Sequence, residues 1–183
     1  PFPTEIGGVR SEEYCRDNAI RKRTELEKYG IPHRVEGDQV KYDRADPKIV
    51  ALMNEHSSFL QGVGIRLAAG EYGATTGRPR RIGWTDLVAA RYARWINGAR
   101  DNFRWVVTKP DALAGIERFL VCDGYAVHMQ LGKTVEFVRE ASQLQRIIPV
   151  YKQYKGYSSL TEATAFEDLP LSLREAMGDL ERL

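Results

Sequence analysis

Any fold for this 183-residue chain must accommodate the run Gly73-Ala74-Thr75-Thr76-Gly77-Arg78-Pro79-Arg80-Arg81, closed by Gly83-Trp84-Thr85-Asp86. The run has neither helical nor strand periodicity, so it reads as a loop between two ordered elements. Gly73 and Gly77 permit positive φ or close approach of the backbone to a ligand. Arg78, Arg80 and Arg81 each carry a planar fork of donors that fits a carboxylate or phosphate two-pronged. Thr75 and Thr76 add hydroxyl and backbone donors. The combination makes a clamp for a small anion. The alternative is an exposed basic turn, since short arginine runs are commonly solvated.

The basic character is local. Net charge is only +2, which does not argue for nucleic acid. No run approaches the roughly 18–20 apolar residues that a membrane span needs. Pro1-Phe2-Pro3-Thr4-Glu5 lacks the basic start and apolar core of a signal peptide. Hydrophobic content of 43% suits one soluble domain with one core. Cys15 and Cys122 sit in unlike settings and are expected to be reduced thiols of a cytoplasmic protein. His33, His56 and His128 have no Cys, Asp or Glu at metal-ligand spacing, so no metal cage is expected.

Along the chain, periodicity predicts a surface helix over about Ser11 to Tyr29, capped by Ser11 and ended by Gly30 and Pro32. Ile31 to Tyr42 reads as a hairpin turning at Gly37-Asp38. Asp46-Pro47 starts a second helix as N-cap and first helical residue, with an apolar stripe running to Gly62. Thr85 is expected to cap the next helix, with Asp86 in its first turn and Gly98 as its end. Trp105 to Val107 reads as a short buried strand delivering Thr108-Lys109-Pro110-Asp111 to its C-terminal end. Phe119 to Val127 is a second strand, Val135 to Ile148 is ambiguous, and a last helix begins near Ser172.

The loop with its closing Gly-Trp-x-Asp resembles the aspartate-binding loop of the adenylosuccinate synthetase family. Four further stretches agree in order and spacing: Pro1 to Glu5, Thr108-Lys109-Pro110-Asp111, Val121-Cys122-Asp123-Gly124-Tyr125, and Ile148-Pro149-Val150-Tyr151 with Gly156-Tyr157. The resemblance covers residues 1–5 and most of 73–183. It implies an α/β chain, part of a P-loop-type synthetase fold with a mixed sheet and flanking helices. The stretch at about 9–70, where the family has a short connection, is expected to be a mostly helical insertion.

The same resemblance implies the chemistry. GTP phosphorylates O6 of inosine monophosphate (IMP), and the amine of L-aspartate displaces that phosphate to give adenylosuccinate for purine biosynthesis. Ala74, Thr75, Thr76 and Gly77 would cradle aspartate. Arg78 would bridge aspartate and IMP, and Arg80 would reach the GTP side. Arg81 receives no role. Lys109, Pro110 and Asp111 would hold guanine: an ionised carboxylate is acceptor-only and matches the N1–H and exocyclic amine of guanine but not adenine. By itself, Lys-Pro-Asp is equally a turn after a strand. Pro110 stands where the family has Leu, fixing φ and removing a backbone donor. Mg2+ is the expected cofactor and a homodimer the expected state.

The chain lacks an initiator Met and opens inside a motif of that family. The glycine-rich phosphate loop, the catalytic Asp and His, the metal ligands and a base-contacting Ser-Thr-Gly are therefore expected outside it, and the isolated chain is expected to be inactive. Two other readings stay open. One is a phage-type relative that takes deoxyguanosine monophosphate in place of IMP. The other is a non-catalytic module that holds a dicarboxylate or nucleotide.

Overall fold

The computed structural model describes residues 2–98, 103–127, 133–134, 136–144 and 146–183; Pro1 and His128 lie outside them. The chain is α/β and divides into two units. One comprises Glu5–Gly83 and Ala112–Ile116; the other holds the residues up to Thr4, Trp84–Asp111 and Glu117–Leu183.

The first unit contains helices α1 (Gly8–Arg16) and α2 (Lys22–Lys28), the hairpin β1 (His33–Glu36) and β2 (Gln39–Tyr42), then α3 (Pro47–Met53) and α4 (Ser58–Ala69). The hairpin pairs antiparallel around Gly37-Asp38, as expected. Asp46 caps α3 as expected, its carboxylate accepting from the Lys48 amide at 2.8 Å with Pro47 as first helical residue. Helix α4 is buried on all sides from Gly62 to Ala68, which makes it the centre of this unit. At Gly64 an added Cβ would fall 2.7 Å from the Leu52 carbonyl carbon, so α3 and α4 can approach this closely only at a glycine.

Two expected helices are each broken in two. The helix expected over Ser11 to Tyr29 stops at Arg16. The Asp17 carboxylate accepts from the Ala19 amide at 2.8 Å and its carbonyl from the Ile20 amide at 3.2 Å, a local turn that competes with the helical ladder. Ser11 is buried inside α1 rather than capping it, and Gly7 at φ 90° precedes the helix. The segment is not a surface helix, since Glu25 and Leu26 of α2 are both 0% exposed. The helix expected to run from Pro47 to Gly62 ends at Met53. Asn54 turns its side-chain amide onto the carbonyls of Val50 (3.1 Å) and Gly115 (2.9 Å), and the chain restarts at Ser58.

The second unit is a mixed sheet with helices. Its strands are β3 (Thr85–Asp86), β4 (Arg118–Val127), β5 (Lys133–Thr134) and β6 (Ile147–Lys155). Strand β4 pairs parallel with β3 and antiparallel with β5 and β6, with a bulge between Cys122 and Gly124. Helices α5 (Leu87–Ile96), α6 (Ala141–Leu144) and α7 (Leu171–Glu181) complete it. Val88, Cys122, Tyr125 and Ile147 form a buried cluster against Phe137, Val138 and Tyr151.

Thr85 is held in the parallel pair with Val121, so α5 starts one residue later than expected, with Asp86 as its cap. One oxygen of Asp86 accepts from the Val88 and Ala89 amides at 3.0 Å; the other accepts from the Tyr125 hydroxyl at 2.6 Å. The strand expected over Trp105 to Val107 does not form. Strand β4 is already paired by β6 along its length and by β3 and β5, and Val106 is left 81% exposed. Both cysteines are buried free thiols. Burial pushes the Cys15 thiol up, and burial and then the Asp86 charge push Cys122 up to about 11.

Candidate functional site

The glycine-rich run is a tight turn on a two-stranded neck. Tyr72 and Pro79 form an antiparallel bridge, and the Arg80 amide donates to the Glu71 carbonyl at 3.0 Å. Above the neck the Gly73 amide donates to the Arg78 carbonyl at 2.9 Å, and the Gly77 amide to the Gly73 carbonyl at 2.8 Å. Gly77 sits at φ 63°, a conformation that a side chain would strain. The backbone folds back on itself and presents Ala74, Thr75 and Thr76 to solvent. The run is a loop between ordered elements, as expected.

The three arginines divide by partner. Arg78 donates to the Arg16 carbonyl at 3.1 Å and has no carboxylate partner among the described residues. Arg80 pairs with Glu71 at 2.7 Å on the surface. Arg81 grips Glu5 two-pronged, at 2.8 and 2.5 Å, and this bonding raises the Arg81 pKa. The Glu5 side chain is fully buried, so the pair fixes the end of the loop. Backbone bonds reinforce the join: Glu5 bridges Gly83, and the Ile6 amide donates to the Ile82 carbonyl at 2.9 Å. Two of the sequence motifs are thus stitched together, and Arg81 holds the loop in place.

Beneath the neck lies an ion pair that sequence reasoning missed. Arg66 of α4 meets Glu25 of α2 at 2.6 and 3.1 Å, both side chains essentially fully buried. Arg66 also donates to the Arg80 carbonyl at 3.2 Å, and the Tyr72 hydroxyl donates to Glu25 at 2.5 Å. Burial and the Glu25 charge push the Tyr72 phenol well above its usual range. Both strands of the neck therefore rest on one buried carboxylate–guanidinium pair. A lone arginine in the apolar run of α4 was the available signal. Glu25, among the charges of α2, gave none.

One flank of the loop opens on a cleft of about 810 Å3, between residues 73–77, the start of α2 and the hairpin. Arg21, Lys22, Arg23, Lys41 and Arg44 line it. Arg21, Lys22 and Arg23 belong to the segment expected as a surface helix, and the fold sets them on the border of this cleft.

In the other unit, Lys109 adopts φ 56°, a left-handed conformation uncommon for a residue with a side chain, and Pro110–Leu113 form a 3-10 turn. The Tyr157 hydroxyl donates to the Pro110 carbonyl at 2.6 Å, and the Gly156 amide to the Glu117 carbonyl at 2.8 Å. The structure thus joins two stretches that the sequence singled out, Thr108 to Asp111 and Gly156-Tyr157. Asp111 is exposed. Burial, and then the Asp111 charge, push the Tyr157 phenol up to about 12.

Among the described residues, no group of three His, Cys, Asp or Glu side chains could hold a metal ion, and no helix is long and apolar enough to cross a membrane.

Residues 45–183 match the family model described as adenylosuccinate synthetase. An adenylosuccinate synthetase of Fusobacterium nucleatum is 35% identical over 139 residues, covering 75% of this chain and 30% of the relative. One from Mycolicibacterium smegmatis is 42% identical over 134 residues, covering 72% and 28%. The structure of the fully ligated adenylosuccinate synthetase from Plasmodium falciparum superposes with a TM-score of 0.60 at 27% identity, over 67% of this chain and 29% of that one. The chain spans about 30% of the length of the curated relatives it matches.

Proposed function

The chain belongs to the adenylosuccinate synthetase family, and on that premise we propose that the whole protein condenses IMP with L-aspartate, using GTP as phosphoryl donor. The γ-phosphoryl of GTP moves to O6 of IMP. The aspartate amine then attacks C6, and phosphate leaves with O6, giving adenylosuccinate, GDP and phosphate.

The observation that carries this reading is the turn at Gly73 to Arg78. It is closed by its own backbone bonds, presents two threonine hydroxyls to solvent, and holds an arginine whose charge no described carboxylate neutralises. Ala74 to Gly77 cradle one aspartate carboxylate through backbone amides and hydroxyls, and Arg78 supplies the charge-assisted contact. Arg80 must exchange Glu71 for a phosphate to serve the nucleotide. Exposed pairs are worth about 0–1 kcal/mol, so that exchange is cheap. In the other unit, the Tyr157 bond to Pro110 and the left-handed Lys109 support a guanine contact by fixing the turn that bears Asp111.

Mg2+ neutralises phosphate charge in this class of reaction. The described residues offer it no ligand cluster, so no step is routed through it in this chain. We place the protein in the cytoplasm as a homodimer. The family match begins at residue 45, which supports reading α1, α2 and the hairpin as part of an addition to the family architecture.

The test is Arg78→Leu in the whole protein. Losing a charge-assisted contact to a buried ligand charge costs about 2–5 kcal/mol, so the aspartate KM rises by one to three orders of magnitude. An unchanged aspartate KM and kcat would reduce the loop to a surface turn.

A further inference from the structure

We propose that the cleft between the hairpin and residues 73–77 holds a phosphate-binding site, separate from the Arg78 guanidinium, in which Arg21, Lys22 and Arg44 hold the phosphate of a nucleotide or free phosphate.

The argument begins with charge. Of the five cations on the lining, Arg23 is paired with Glu27 at 2.8 Å and Lys41 with Glu36 at 2.5 Å. The other three have no carboxylate partner among the described residues. Arg21 donates to the neighbouring Ile20 carbonyl at 2.8 Å. The Lys22 ammonium donates to the Val40 carbonyl and lies 5.2 Å from the Tyr42 ring centroid. The Arg44 guanidinium packs on Gly70, where an added Cβ would come within 2.7 Å of it. Asp38 is the one carboxylate among the described lining residues, so an excess of positive charge remains. Burial, and then the Arg44 charge, lower the Lys22 pKa, which shows these cations pressing on each other. Like charges gathered in a concave site concentrate the field that attracts an anion.

Geometry holds the cluster against the loop. The Lys22 amide donates to the Gly77 carbonyl at 2.8 Å, so the start of α2 is tied to the turn. Arg78 does not line the cleft and bonds instead to Arg16. The three cations and the Arg78 guanidinium therefore face different space, while residues 73–77 of the loop form one wall of the cleft. All three also precede residue 45, outside the family match.

The chemistry selects phosphate. Aspartate carries two carboxylates and one ammonium, a net charge of about −1, so three unneutralised cations attract it less than they attract phosphate. A phosphate brings up to two negative charges and no positive one, and arginine forks match its oxygens. A cleft of about 810 Å3 has room for more than the phosphate itself, since small-molecule sites run to roughly 300–1,000 Å3.

The test uses the whole protein and radiolabelled inorganic phosphate in equilibrium dialysis. Saturable binding is expected, weakened at least tenfold by Arg44→Gln and by Lys22→Gln, with circular dichroism showing both variants folded. Arg23→Gln, whose charge is already paired, leaves it unchanged. Displacement of the label by a nucleoside monophosphate at concentrations at least tenfold below those of cold phosphate identifies a nucleotide as the occupant; equal or weaker displacement identifies free phosphate. No saturable binding, binding indifferent to both cleft variants, or displacement by L-aspartate overturns the proposal. The aspartate reading is separable: Arg78→Leu raises the aspartate KM without touching phosphate binding, and Arg44→Gln does the reverse.

Discussion

Replacing Arg66 by Met tests how the loop is held. The change keeps a long, flexible chain but removes the charge and every donor. Two hydrogen bonds to Glu25, at 2.6 and 3.1 Å, and one to the Arg80 carbonyl, at 3.2 Å, are lost together. Glu25 is left 0% exposed, with the Tyr72 hydroxyl and no cation to satisfy it among the described residues. Removing one member of a buried pair costs about 3–5 kcal/mol, because the remaining charge stays desolvated. Exposed pairs are worth about 0–1 kcal/mol, so the measurement separates the two cases. The assay is urea unfolding of the whole protein by circular dichroism, with amide exchange at Gly73 and Gly77 as the local readout. The double variant Glu25→Leu/Arg66→Met removes both charges. It is expected to lose only about 1–3 kcal/mol, mainly through the orphaned Tyr72 hydroxyl and Arg80 carbonyl. A single variant that costs less than about 1 kcal/mol, in the range of exposed pairs, refutes the reasoning. So does a double variant no more stable than the single.

Further outcomes follow from other contacts. Gly64→Ala forces α3 away from α4 and is expected to cost about 1–3 kcal/mol, read as a lower urea midpoint with unchanged slope. Tyr157 has a folded pKa of about 12 against an ordinary 10.0. Its contribution to stability is therefore complete below pH 10 and is lost as pH rises towards 12, so Tyr157→Phe flattens the alkaline fall of the unfolding midpoint. If Asp111 reads guanine, Asp111→Asn raises the GTP KM tenfold or more, as one mismatched buried hydrogen bond costs about 1–3 kcal/mol. The same change favours xanthosine triphosphate and leaves the aspartate KM nearly fixed; a wild-type protein that uses ATP as readily as GTP removes the guanine role.

Features set by short-range chemistry were legible in the sequence. Gly37-Asp38 gave the hairpin turn, Asp46-Pro47 the start of α3, and the glycines of the loop its irregular course. The strand read at Phe119 to Val127 and the helix read from near Ser172 also stand, each shifted by one residue. Competition between local and helical hydrogen bonds was not legible: Asp17 and Asn54 break helices whose apolar stripes run on past them. Partner-dependent features were equally hidden. Trp105 to Val107 has the composition of a strand but pairs with none, because β4 is already flanked by β6 on one side and by β3 and β5 on the other. Asp86 takes the cap from Thr85 because Thr85 is committed to β3. At the candidate site the loop was readable, but its support was not. Arg81 and Glu5 lie 76 residues apart in sequence and Glu25 and Arg66 lie 41 apart, and only folding brings each pair together.

The bulge between Cys122 and Gly124 acts as a parity switch in the strand. In an unbroken pleat, residues three apart point to opposite faces. Cys122 and Tyr125 nevertheless share one buried cluster, because the extra residue resets the alternation between them. Deleting Asp123 would return the strand to regular pleating with Cys122 and Tyr125 two apart and still on one face, so the Tyr125 hydroxyl keeps Asp86 and the cap of α5. Away from the bulge the strand is more sensitive to length than to composition: it can exchange one apolar side chain for another, but a single-residue insertion or deletion at a paired position changes which face every later side chain occupies.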